Sequence, residues 1–121
     1  MKNLNVGLIG YGMSGQYFHA PFIHENEKFS LKKVVERKSD YAKKDYPYIE
    51  IVRDYKSLIK DDELDLIIVS TPNSTHLNIA KAALLAGKHV IVEKPFTPTS
   101  KEADELIRLA KKQKRILMMK K

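Results

Sequence analysis

Six residues near the N-terminus constrain this chain most: Gly10-Tyr11-Gly12-Met13-Ser14-Gly15. They follow the apolar run Leu4 to Ile9 and precede a stretch that begins at about Ser14 and turns Phe18, Phe22 and Ile23 to one side. A G-x-G-x-x-G pattern says little alone, but between a strand and a helix each glycine has a physical task. Gly10 permits the tight turn, Gly12 leaves room for a phosphate against the backbone, and Gly15 lets the helix pack close to the strand. The backbone N–H groups of Met13 and Ser14 then face the ligand at a helix N-terminus, where the helix dipole favours an anion. The expected occupant is the pyrophosphate of a dinucleotide. Pro21 lies inside the helical stretch and predicts a kink or restart.

The rest of the chain repeats the alternation of apolar runs and amphipathic stretches expected of a parallel sheet covered by helices. Strands are predicted at Ser30 to Val35, Glu50 to Val52, Asp65 to Val69, His89 to Val92 and Ile116 to Met119. Short helices are expected around Asp40 to Lys44 and over Tyr55 to Ile59, the second capped by Asp54. A longer helix is capped by Asn73 or Ser74, turns Leu77, Ala80 and Leu84 to one face, and ends at Gly87. Thr99 and Glu102 make a capping-box pair opening the last helix, whose apolar stripe is Ala103, Leu106, Ile107 and Ala110. The predicted architecture is α/β, a doubly wound parallel sheet (Rossmann fold) of about six strands in the order 3-2-1-4-5-6. The 121 residues suit one domain, 1–121, and leave no room for a second of ordinary size.

Composition removes several alternatives. There is no cysteine, which excludes disulfides and cysteine metal sites; no metal site is expected. Apolar runs such as Leu66 to Val69 are too short to span a bilayer. Met1-Lys2-Asn3 leads into a strand rather than a signal peptide, so the expectation is a cytoplasmic protein with no membrane partner. The formal charge of +7 raises the question of nucleic acid. The lysines are scattered, as in Lys32-Lys33, Lys43-Lys44, Lys111-Lys112 and Lys120-Lys121, and are not interleaved with aromatics. A solvated lysine surface that helps steer an anionic dinucleotide is the expectation, with no nucleic-acid partner.

Three further groups belong to the expected site. Glu36 ends the second strand, where an acid binds the adenosine ribose hydroxyls. The neighbouring Arg37-Lys38 can instead accept a 2′-phosphate, so both NAD and NADP stay open; the acid tips the balance toward NAD. Ser70-Thr71-Pro72-Asn73-Ser74-Thr75-His76 follows the fourth strand, beside the crevice where strand order reverses. Thr71, Pro72, Asn73 and His76 are its candidate cofactor contacts, Asn73 offering both a donor and an acceptor. Glu93-Lys94-Pro95 follows the fifth strand. Lys94 can donate a hydrogen bond or proton to a substrate oxygen, and Glu93 can hold the lysine charged.

Taken jointly, these motifs resemble the N-terminal domain of the Gfo/Idh/MocA oxidoreductases. The resemblance rests on the Gly10 to Gly15 turn, Phe18-His19-Ala20-Pro21, Thr71-Pro72-Asn73 with His76, Ala86-Gly87-Lys88-His89-Val90, and Glu93-Lys94-Pro95. The Phe-His-x-Pro stretch is most similar to the scyllo-inositol dehydrogenase-like branch. The resemblance implies hydride transfer between NAD or NADP and a hydroxyl-bearing sugar or cyclitol, with Lys94 assisting catalysis. It also implies catalytic Asp and His residues on a second, C-terminal substrate domain, expected to be absent from this chain. A bracing role is expected for His19. The chain is therefore expected to bind cofactor without turning over substrate alone, with exposed apolar surface near Phe96 favouring a homo-oligomer. A stand-alone dinucleotide sensor or interaction module is the alternative.

Overall fold

The structure, a computed structural model, describes residues 4–10, 29–36, 40–70, 73–92 and 100–119; the side chains at 41, 42, 73–77, 100 and 119 lie outside the description. Strands β1 (Leu4–Ile9), β2 (Phe29–Val35), β3 (Glu50–Val52), β4 (Leu66–Val69), β5 (His89–Val92) and β6 (Leu117–Met119) form one sheet. Its order is β3-β2-β1-β4-β5-β6, and every neighbouring pair is parallel. The described helices are α1 (Tyr41–Asp45), α2 (Tyr55–Ile59), α3 (Asn73–Leu85) and α4 (Ser100–Gln113). The expected doubly wound architecture is the one observed. The predicted helix after the glycine turn, with Pro21, lies outside the described residues.

Side chains of the central strands alternate between two apolar layers, as the pleat requires. Ile9, Ile67, Val69, Val90 and Val92 join Leu58 and Ile59 of α2, Ile79, Ala80, Ala83 and Leu84 of α3, and Leu106 and Ala110 of α4. Val6, Leu8, Leu31, Val34, Leu66 and Ile68 face the other way, packed with Ile49 and Tyr46. All four residues of β4 are buried, as a strand covered on both faces demands. Gly7 lies under α2 so closely that a Cβ there would sit 2.7 Å from Leu58 Cδ2 and 2.8 Å from Leu64 Cδ1. Between β1 and β2 the register slips once, pairing Val6 with Leu31 but Gly7 with Lys33. Lys32 is the extra residue, and it is exposed.

Helix ends follow local chemistry. The Asp54 carboxylate accepts the Lys56 N–H and caps α2, as expected. Gly87, at φ +82°, ends α3. The Gly87 N–H reaches Leu84 O and the Lys88 N–H reaches Ala83 O, the paired bonds of a Schellman motif. α4 closes in the same way through Lys114 and Arg115, but the left-handed position, at φ 57°, is filled by a lysine. The two closures touch: Gln113 Nε2 donates to Leu84 O and Leu85 O, and Arg115 Nε donates to Gly87 O at 2.6 Å. These donors serve carbonyls at and just beyond the end of α3, and Leu84 O takes the Gln113 amide in addition to the Gly87 N–H.

Several expectations need correction. α3 is described from Asn73 onward, so the cap expected at Asn73 or Ser74 turns on the segment before it, which lies outside the described residues. Thr99 also lies outside the described residues. β4 starts one residue later than predicted, because Asp65 uses its carboxylate to accept the Asn5 N–H. β6 likewise starts after Ile116, whose N–H goes to a histidine nitrogen. In α4 Ile107 is exposed, and Leu109 instead packs against the core with Leu106 and Ala110. Lys33 is not a solvated lysine: its Nζ pairs with Asp61 and lies 3.0 Å from Glu50 Oε2.

Candidate functional site

The two ends of the parallel strands are built differently. At the N-terminal end, side chains tie neighbouring segments together. Asn5 Nδ2 donates to Glu63 O, Asp65 N–H donates to Asn5 O, and His89 N–H donates to Asp65 O. Lys88, buried at 6% exposure, places Nζ 2.7 Å from both Asp61 O and Leu64 O. His89 Nδ1 accepts the Ile116 N–H at 3.0 Å, so this histidine is neutral with its proton on Nε2. Burial, and then the Arg115 charge, hold His89 below its usual pKa of 6.5. The Lys33 hydrogen bond holds Asp61 below the ordinary carboxylate range, and Asp61 in turn raises Lys33. Every one of these charges is engaged in bracing the fold.

At the C-terminal end, β1 and β4 are the strands from which the order runs in opposite directions, and Ile9 pairs with Val69 there. Ligands of open α/β sheets bind outside such a junction. Gly10 leaves β1 at φ +95°, a conformation that a side chain disfavours. The Gly10 N–H donates to Val35 O, which sets the start of the glycine turn beside the end of β2. The Ser70 N–H donates to Ile9 O at 2.9 Å, which sets the loop after β4 on its other side.

Glu36 is the residue after that Val35 carbonyl. It is 6% exposed and, with Lys88, one of two buried polar or charged side chains among the described residues. Lys88 has a full structural explanation in its two carbonyls. Glu36 stands at the C-terminal end of the strands, directly after the Val35 carbonyl that accepts the Gly10 N–H. Its N–H donates to Val52 O at 3.1 Å, and its carbonyl accepts from Arg53 Nη1 at 3.1 Å. Arg53 Nη2 also reaches Asp40 Oδ1 at 2.5 Å. The sequence motifs did not single out Arg53; the available signal was a cation directly after a strand that neighbours Glu36.

The structure thus brings together Gly10, Glu36 and the start of the loop after β4. Asn73 and His76 lie in α3, near its N-terminus, with side chains outside the description. Gly12, Met13, Ser14, Gly15, Arg37, Lys38, Thr71, Pro72, Glu93 and Lys94 lie outside the described residues. Among the described residues no cluster of His, Asp and Glu is suited to a metal ion, and no helix is long and apolar enough to cross a membrane. In open α/β sheets of this kind a dinucleotide's phosphates lie at the turn after the first strand and its ribose near an acid after the second.

Known proteins are similar to this chain in sequence and fold. A model of an oxidoreductase family with an NAD-binding Rossmann fold matches residues 4–121. The oxidoreductase YdgJ of Escherichia coli, described as uncharacterized, is 46% identical over 95% of this chain and 33% of its own length. The scyllo-inositol 2-dehydrogenase (NADP(+)) IolW of Bacillus subtilis is 34% identical over 91% of this chain and 31% of its own. A crystal structure from Bacteroides fragilis, assigned as an oxidoreductase, superposes with a TM-score of 0.95 at 51% identity, covering 99% of this chain and 37% of that one. The chain spans about a third of the length of the curated relatives it matches.

Proposed function

Since the chain belongs to the Gfo/Idh/MocA oxidoreductases and forms their NAD-binding Rossmann domain, we propose that it serves a dehydrogenase acting on a hydroxyl carbon of a sugar or cyclitol. The observation that carries the cofactor assignment is Gly10 at φ +95°, between the Val35–Glu36 backbone and Ser70 at the β1–β4 junction. In this reading Gly12 keeps the backbone approachable, Met13 and Ser14 present N–H groups to the pyrophosphate, and Gly15 seats the following helix. Glu36 accepts hydrogen bonds from ribose hydroxyls, with Arg37 beside it. Thr71, Pro72, Asn73 and His76 line the crevice. A bound nicotinamide supplies the hydride acceptor. Lys94 hydrogen-bonds the substrate oxygen: its neutral amine would take the hydroxyl proton when the alcohol is oxidised, and its ammonium, favoured by Glu93, would return a proton to that oxygen when the carbonyl is reduced. The sugar or cyclitol class is supported by IolW, whose name states a scyllo-inositol substrate.

NAD is the preferred cofactor in this reading, because an acid at the ribose repels a 2′-phosphate. Calorimetric titration with NADH and NADPH tests the assignment. Gly12→Val should abolish binding while leaving the circular dichroism spectrum intact, and a variant that binds as tightly as its parent would show the site to be misassigned. Glu36→Ser should move preference toward NADPH. A parent that binds NADPH tenfold more tightly, a preference of about 1.4 kcal/mol, would reverse the choice of NAD.

A further inference from the structure

Glu36 lies one residue beyond the last ladder pair of β2 with β3, Val35 with Val52. Its N–H continues that ladder by one bond, to Val52 O. Its carbonyl has left the ladder, and the partner it finds there is a side chain, Arg53 Nη1. Through Nη2 the same guanidinium grips Asp40, the residue just before α1. Arg53 therefore ties the end of β2 to the start of the next element. A planar guanidinium suits this work, because its donors are held in a fixed fork and a lysine has no second, geometrically fixed arm.

We propose that Arg53 is a positioning residue for nucleotide preference: by fixing the main chain of Glu36 from the carbonyl side, it holds the carboxylate where it accepts ribose hydroxyls and repels a 2′-phosphate. This rests on the cofactor reading above. Hydrogen bonds to a carboxylate are short and directional, so a displaced Glu36 loses its grip on the hydroxyls and much of its repulsion. Arg53 does not act here as a phosphate-binding cation, because its charge is offset by the Asp40 carboxylate at 2.5 Å. Removing it should weaken discrimination, not sharpen it.

The test measures dissociation constants for NADH and NADPH by calorimetry on the full chain, its R53M, R53K and E36Q variants and the R53M/E36Q double variant, with melting curves on each. R53M should lose about tenfold in NADH affinity and change by less than about threefold toward NADPH, so that the preference collapses. R53K should retain part of the preference, since one donor can still reach one acceptor. In the E36Q background R53M should no longer alter the ratio, because the residue through which it acts is already disabled. Equal losses for both nucleotides would reduce Arg53 to a structural residue and overturn the inference. A loss confined to NADPH would make it a phosphate contact and overturn it too, as would an unchanged effect in the E36Q background. Should R53M not fold, R53K decides: a ratio equal to the parent's overturns the proposal. A parent that binds neither nucleotide refutes the cofactor reading itself, and the inference with it.

Discussion

Replacing Gly7 by alanine probes how tightly α2 is seated on the central strand. The added Cβ would meet Leu58 Cδ2 at 2.7 Å and Leu64 Cδ1 at 2.8 Å, where ordinary contact begins at 3.4 Å. Both leucines must retreat by more than half an ångström. They are themselves at 0% and 2% exposure, so they move against packed neighbours and not into water. Overpacking of this kind costs about 1–3 kcal/mol. Against it, alanine restricts the unfolded chain more than glycine does, worth roughly 0.5–1 kcal/mol in the opposite direction. The expected net loss is about 1–2 kcal/mol. Urea unfolding followed by circular dichroism measures it, since the chain has no tryptophan for fluorescence. A second variant makes the reasoning specific. Leu58→Ala alone should cost about 2–5 kcal/mol by leaving a cavity. Combined with Gly7→Ala, the new methyl enters that cavity, so the double variant should be more stable than the two losses summed, by about 1 kcal/mol. An alanine variant as stable as the parent, or strict additivity with Leu58→Ala, would refute the steric account.

Three further outcomes are expected. Lys114→Gly should stabilise the chain by about 1 kcal/mol, because it removes a side chain from the left-handed closure of α4; an unchanged melting temperature would count against it. Lys88→Met should cost roughly 1–3 kcal/mol for each of the two carbonyls left without their donor, and a loss of a few tenths in urea unfolding would mean that water replaces the ammonium. Acid should weaken the fold in two stages. The folded pKa of His89 lies below 6.5, so in the interval between them the unfolded chain binds more protons, and the contribution, complete above 6.5, fades as pH falls through the folded value. Asp61 is likewise held below its ordinary 3.8, and its contribution is lost further into acid. His89→Gln should remove the first stage; urea midpoints for that variant that fall with pH as the parent's do would place the titration elsewhere.

What the sequence made legible was local. The four apolar residues of β4, the Asp54 cap and the Gly87 closure announce themselves within a few positions, because a strand buried on both faces, an N-cap and a left-handed turn are short-range demands. Gly10 and Glu36 were readable for a related reason: a turn and a strand end fix their places at the sheet's edge before any tertiary contact is known. Arg53 was not readable, since its carbonyl partner lies 17 positions away. Lys88 reaches carbonyls 24 and 27 positions back, which no periodicity signals, and Gly7 is required only because α2 lands on it. Ile107 misled because it keeps nearly the helical spacing of the buried stripe while pointing just outside it.

The place of β1 in the sheet also bears on how the chain emerges from a ribosome. β1 is made before the other strands of the sheet, yet it is paired on both sides, with β2 and with β4. Val6 finds its first partner at Leu31 and its second only at Leu66. Once Val52 is out, three strands can join, but one flank of β1 stays bare until β4 follows. At roughly 5–20 residues per second, that interval lasts on the order of a second. For that time the backbone N–H and C=O groups of Val6 to Ile9 on that flank lack their strand partners, the template on which nascent chains adhere to one another. The arrival of Leu66–Val69 closes that edge and creates the junction between β1 and β4 in the same event, so the junction cannot exist before that flank of the nascent sheet has been sealed.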